Sequence, residues 1–316
     1  MPFFLIKRFA TLLATLWATS VIVFLVLEIL PGDPALLVLG IDASDEQLAA
    51  FREQYGLTRP VLERYADWLA HLLTGDFGIS YAYKSPVWPL IADRLTLTYP
   101  LAILAMLLTV VLALGLGIYA AARHNRPGDL VVMGISQLGI SIPNFWFGLL
   151  LILLFAVNLG WLSAGGFAGW ADGPGPALLG LILPSLSLAT VQAAILARIT
   201  RSSVLEVLGE DFVRTARAKG LGRRAVLWRH VLRNALIPVI TVIGLQFGNL
   251  LAGAIVVEQV FSLPGLGRLI FQAISNRDIE VVKAAVVLLA FTVVLVNFVV
   301  DVLYAVIDPR LKMHDV

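Results

Sequence analysis

Residues able to do chemistry are few and far apart in this chain of 316 residues. Its four histidines, His71, His124, His230 and His314, fall in separate stretches and show no metal-ligand spacing. Cysteine is absent, which excludes disulfides, thiolate metal sites and cysteine nucleophiles. No G-x-x-x-x-G-K-[ST] loop occurs, nor any Gly-Lys pair, so the chain cannot cradle nucleotide phosphates by that device. H-E-x-x-H and G-x-S-x-G are missing too. An enzyme active site is not expected, and no catalytic or metal residue is assigned. What remains are polar groups inside long apolar runs: the amides Asn144, Gln192, Gln246 and Asn249, and the carboxylates Glu28 and Asp301. Polar side chains in an apolar medium turn to one another or line a path through it. Gln246 and Asn249, three apart on one helix face, are the preferred path element, with interhelical hydrogen bonding the alternative for each. Glu28 and Asp301 lie near the ends of their runs, which suits helix-end residues better than proton carriers.

The medium follows from composition. Hydrophobic residues make up 59% of the chain and charged residues 14%, whereas a soluble domain has about 25% charged residues. Too little polar surface is available to cover a water-solvated globule, so this is an all-α, polytopic membrane protein. The formal net charge of +2 is too small to imply nucleic-acid binding. Six stretches reach the roughly 20 residues a helical span requires: Phe9–Leu30, Leu95–Ala122, Leu130–Leu159, Gly173–Ala197, Asn234–Val257 and Ala284–Ile307. The third is longer than one crossing needs and contains Pro143, which predicts a tilt or kink. No run alternates with period two, so a β-barrel is excluded. The first run is too long for a signal-peptide core and lacks a cleavage site, so it is expected to stay as a span.

Of the 23 Lys and Arg, fifteen fall on the side that holds both termini, the 123–129 loop and the 198–233 segment. The positive-inside rule makes that side cytoplasmic. The chain then divides into an N-terminal end and first span (1–30), an external helical segment (31–94) and a core (95–316). The core includes a basic cytoplasmic loop (198–235) and an external loop (258–283). In the external segment Ser44 and Gln47 predict a capping box, Pro60 the first turn of a second helix, and Pro86 the start of a third. Its few large apolar residues predict a small cap without an independent core.

The basic loop is the most informative stretch. Asp211 is placed to cap a short helix closing at Gly220, and Arg217 and Lys219 lie near its negative end. Phe212, Val213 and Ala216 give that helix an apolar face suited to a groove, or equally to a headgroup surface. Two helices separated by Leu221-Gly222 then return through Trp228 into the fifth span.

D-F-V-R-T-A-R-A-K-G-L-G (Asp211–Gly222), continued by R-H-V-L-R-N-A-L-I-P (Arg229–Pro238), resembles the cytoplasmic E-A-A-x-x-x-G loop of the permease subunits of binding-protein-dependent ABC importers. The group most similar is the dipeptide, oligopeptide and nickel one. Arg214, Thr215 and Ala216 hold the E-A-A places and Gly220 the glycine. The departure from glutamate resembles what the peptide-type subgroup shows. L-P-G-D-P-A (Leu30–Ala35), V-V-E-Q-V-F-S-L-P-G-L-G (Val256–Gly267) and V-D-V-L-Y-A-V-I-D-P-R (Val300–Arg310) fit the same subgroup, so the resemblance spans the chain.

The resemblance implies a six-span, type I importer (MetI-like) fold in a bacterial cytoplasmic membrane. It also implies docking of Asp211–Gly220 in a cleft of a cytoplasmic ATPase subunit, with ATP and Mg bound there and no cofactor on this chain. The implied partners are a sibling permease in a heterodimer, two ATPase subunits and an extracytoplasmic binding protein. That binding protein would meet Glu258, Phe261, Pro264, Gly265 and Gly267, the last three forming a tight turn. Short peptides or peptide-like compounds are the implied cargo, with nickel, glutathione or oligosaccharide the alternatives. A stand-alone secondary transporter or channel is the alternative from another class, and it would have no use for a docking helix.

Overall fold

The computed structural model describes residues 2–29, 33–40 and 42–307. Leu30, Pro31 and Gly32 of the L-P-G-D-P-A stretch and Asp308, Pro309 and Arg310 of the last motif lie outside them. A bilayer offers no water to backbone polar groups, so an apolar chain satisfies them within helices. Accordingly the described residues form helices, with no strand beyond an isolated pairing of Ile79 with Pro86. In chain order they are α1 (Pro2–Ile29), α2 (Pro34–Leu39), α3 (Asp45–Gln54), α4 (Val61–Leu73), α5 (Val87–Ala122) and α6 (Pro127–Ser141). Next come α7 (Asn144–Leu151), prolonged by a π-helical turn (Ile152–Asn158), then α8 (Pro174–Leu208) and α9 (Asp211–Ala218). The short α10 (Arg223–Val226) runs through a second π turn (Leu227–Val231) into α11 (Leu232–Val260), followed by α12 (Leu266–Ser275) and α13 (Ile279–Ile307).

Five helices are long and apolar enough to cross a membrane, or six when α6 with α7 is taken as one span. That pair is the expected third span, and of the two expectations it takes the kink: the axes on either side of the break differ by 104°. The residue before a proline is driven out of the α region. Ile142 is extended (φ −94°, ψ 123°) and Pro143 is the residue just before α7, so the break falls where the ring forces it.

The chain forms two compact units. In the first, built on 98–263, α8 is the central element and packs against α6, α7 and α11. Gly117 of α5 lets α8 come close: a Cβ there would meet the Ala197 carbonyl at 2.7 Å. The second unit, 6–97 with 264–295, holds the predicted cap. Its capping box is present, with Gln47 N–H donating to Ser44 Oγ at 3.3 Å and Ser44 N–H to Gln47 Oε1 at 3.0 Å. Ala35, Leu48, Phe51 and Tyr81 form a small core against which Ile279 of α13 also packs. The segment thus completes its core with a residue some 200 positions away along the chain, which sequence distance conceals.

Candidate functional site

In the basic loop, α9 is held to its own chain by the face that looked free. Val213 and Ala216 are buried with Ala121, Val204, Val226, Val231, Leu232 and Ala235. This corrects the expectation of a three-residue docking face: periodicity places Phe212 beside Ala216, but packing covers only Val213 and Ala216 and leaves Phe212, at the edge of that face, 42% exposed. Asp211 is also corrected: it is the first helical residue, and Glu210 precedes it without a side-chain cap bond. The Asp211 carboxylate meets Arg214 at 3.4 Å, in solvent. Thr215 Oγ1 donates to the Asp211 carbonyl at 3.0 Å.

The helix closes as expected. Gly220 has φ +85°, its N–H donates to the Arg217 carbonyl at 2.9 Å, and Leu221 N–H reaches the Ala216 carbonyl at 3.3 Å. Those two bonds form a Schellman turn, which needs a left-handed residue at Gly220. Arg214, Arg217 and Lys219 point outward with Phe212, joined on α10 and the following turn by Arg223, Arg224, Arg229 and Trp228. A short helix anchored at two apolar points therefore presents an aromatic and basic surface.

The mid-span amides separate into two environments. Gln246 is buried, and its Nε2 donates to the Gln192 backbone carbonyl at 3.1 Å. Gln192 is buried beside it, and the side-chain carbonyls of both lack a hydrogen-bond donor among the described residues. Asn144 is half-buried in the same α7–α8–α11 seam, where Gly253 leaves room for it. Asn249 is exposed. Gln246 and Asn249 therefore do not share a surface: the edge of the packed stripe on α11 runs between them, and Gln246 makes the interhelical bond that was the alternative.

The Val256–Gly267 stretch is also corrected. Glu258 is fully buried and accepts from Thr98 Oγ1 at 2.6 Å. Phe261 is buried where Gly148 and Gly165 lack side chains, and its carbonyl accepts from Gly166 N–H at 2.9 Å. Gly265 and Gly267 are buried, and Gly267 lies inside α12 instead of in a tight turn. Pro264 alone of the five keeps part of its surface, and its carbonyl accepts from Arg94 Nη1 at 3.2 Å.

Several residues that hold these elements were not singled out from sequence. Asp129, buried in the first turn of α6, accepts from Arg201 Nε at 2.6 Å and Nη2 at 2.7 Å, and from Asn125 N–H at 3.0 Å. This two-pronged pair ties the 123–129 loop to α8. Asp278, also buried, accepts from Ser80 Oγ and from the Tyr81 and Ala82 N–H groups. Asp278 stands just before α13, but the apolar span read from sequence begins only at Ala284, which left it outside. Glu28, in the last turn of α1 as its position in the run suggested, is paired with Arg64 at 2.6 Å. The Arg52 guanidinium beside Asp33 holds its carboxyl below the usual range. Burial, then the neighbouring Glu280 carboxylate, pushes the Tyr81 phenol well above its ordinary value.

Residues 113–313 match the family described as binding-protein-dependent transport system inner membrane component, and residues 1–102 match the N-terminal family of the same membrane components. A glutathione transport system permease protein of Salmonella choleraesuis is 44% identical over 98% of both chains. A putative peptide transport system permease protein of Brucella abortus is 41% identical, again over 98% of both. Among solved structures, the MetNI methionine ABC transporter in inward-facing conformations aligns with a TM-score of 0.55 at 18% identity, covering 69% of this chain and 96% of that one. An amino acid ABC transporter aligns at 0.50, also at 18% identity, covering 70% and 94%. These two share the fold. The chain belongs to the binding-protein-dependent transport system inner membrane components, and is a permease subunit that works with the other components of an ABC importer.

Proposed function

We propose that this permease moves short peptides or peptide-like solutes, glutathione-like tripeptides included, inward across the membrane. The names of the relatives support that substrate class. An extracytoplasmic binding protein delivers the solute, a sibling permease completes a heterodimeric path, and two ATPase subunits bind and hydrolyse Mg-ATP. This chain holds no cofactor and performs no covalent step. Both termini and the 209–231 loop lie on the cytoplasmic side, in keeping with the Lys and Arg distribution.

The observation that carries the coupling role is the construction of α9. Val213 and Ala216 fix it to α8 and α11, while Phe212 and the cations Arg217 and Lys219 face away from the chain. An ATPase cleft that takes Phe212 would therefore move the spans through two rigid apolar anchors. The test is Phe212→Asp in the assembled importer, reading ATP-driven uptake and ATP hydrolysis. Uptake falls by more than about tenfold while the chain stays folded and membrane-inserted. Uptake at the wild-type level in an inserted Phe212→Asp chain overturns the coupling assignment.

A further inference from the structure

The cap unit contains a cavity of about 240 Å³ lined by Glu28, Asp33, Arg52, Arg64, Glu280 and Lys283, with Phe24 and Tyr81 among its walls. The charges are paired once each. Arg64 Nη1 meets Glu28 Oε1 at 2.6 Å, Lys283 Nζ meets Glu280 Oε1 at 2.6 Å, and Arg52 meets Asp33. Bonding capacity is left over. A guanidinium has five N–H donors and an ammonium three, yet Arg64 and Lys283 each use one toward a carboxylate. Glu28 Oε2 and Glu280 Oε2 accept no hydrogen bond among the described residues. Lys283 is 7% exposed, and its Nζ lies 5.8 Å from the Phe24 ring centre and 5.7 Å from that of Trp68. The Lys283–Glu280 pair is the most buried of the three, with side chains 9% and 17% exposed, and withdrawing an ion pair from water is costly unless its remaining donors and acceptors find partners.

The balance of sign selects the ligand. A simple anion would face three carboxylates and a simple cation three bases, whereas a molecule carrying both signs meets each with its opposite.

We propose that this cavity binds a small zwitterion with free amino and carboxylate ends, of amino-acid or dipeptide size. Its carboxylate meets Arg64 and Lys283, and its ammonium meets Glu28 and Glu280. The inference deepens the peptide-importer reading, on which it rests for the source of the ligand: the cavity is a reception subsite within the cap unit.

The experiment is equilibrium binding of radiolabelled dialanine to the full chain in nanodiscs, against N-acetyl-dialanine amide, which lacks both charges. Saturable binding of dialanine is expected, weakened at least about tenfold by blocking its ends and to a similar degree by Lys283→Met. Should Lys283→Met fail to fold, the blocked peptide on the wild-type chain decides alone. No saturable binding, equal binding of the blocked peptide, or unchanged affinity in folded Lys283→Met overturns the inference. ATP-driven dialanine uptake by the assembled importer without binding to the isolated chain also overturns it, yet leaves the importer reading intact. Charge-dependent binding without uptake supports the cavity and overturns the peptide-import reading.

Discussion

In the cap unit, Arg52, Arg64 and Lys283 each hold a carboxylate of their own chain, and Asp278 gathers the Ser80–Ala82 turn. In the basic loop, Arg217, Lys219, Arg223, Arg224 and Arg229 hold no carboxylate among the described residues. The contrast separates charge that maintains a fold from charge left for another surface. Solvated cations on a loop cost little because water and salt screen them. A half-buried cation without its partner would cost several times more. Apolar contact is distributed the other way: α9 spends Val213 and Ala216 on its own chain, whereas the cap must recruit Ile279 from α13 to close its small core.

The sharpest way to break this comparison is Asp278→Ala. Four donors, Ser80 Oγ and the Tyr81, Ala82 and Val281 N–H groups, would lose an acceptor, costing about 3 kcal/mol, visible as faster proteolysis of the 45–86 region and a lower unfolding temperature. Unchanged protection would show that the cap does not depend on its internal charges. Ala216→Arg on the basic loop should also destabilise, by about 2 kcal/mol or more, because it puts a cation into an apolar cluster. Its effect on uptake would then follow loss of folding, in contrast to Phe212→Asp, and a fully folded Ala216→Arg chain would contradict the anchoring role.

Gly220→Ala sharpens the comparison at smaller scale. The space around Gly220 is open, so the penalty is conformational, about 1 kcal/mol for a left-handed alanine. Gly220→Asn should cost less, since asparagine tolerates that region. Equal loss of uptake in both, with stability little changed, would show that a partner packs against this position.

The smallest effects are those of pH. Asp33 has a folded pKa below its unfolded value near 3.9, so its contribution is fully present above that value and fades as pH falls through the folded one. Tyr81 has a folded pKa above its unfolded value near 10, so its contribution is present below about pH 10 and fades as pH rises. Protection of the cap by hydrogen exchange should therefore hold from about pH 5 to pH 9 and drop on either side.

Much of the fold was legible because it is local. Apolar run length announces helical spans, Ser44 and Gln47 announce their capping box, and Gly220 announces the end of α9. The sharp break at Pro143 was only half legible: proline forbids the preceding helical residue, but how far the chain turns after it depends on what packs on either side. Glu258 misled for a different reason. A carboxylate beside a Pro-Gly loop reads as surface, and only the approach of Thr98, 160 positions earlier, shows it to be buried.

The sequence by itself determined that the chain is helical and membrane-spanning, which stretches span, where the basic loop lies and which family it resembles. Those properties follow from composition and short-range spacing, which are complete within a window of the chain. Tertiary structure alone decided that Val213 and Ala216 turn inward and Phe212 outward, and that Gln246 is buried while Asn249 is exposed. It also decided that six charged residues from α1 to α13 meet around one cavity. Periodicity tells which residues share a helix face, but what covers that face is set by chain segments far away in sequence.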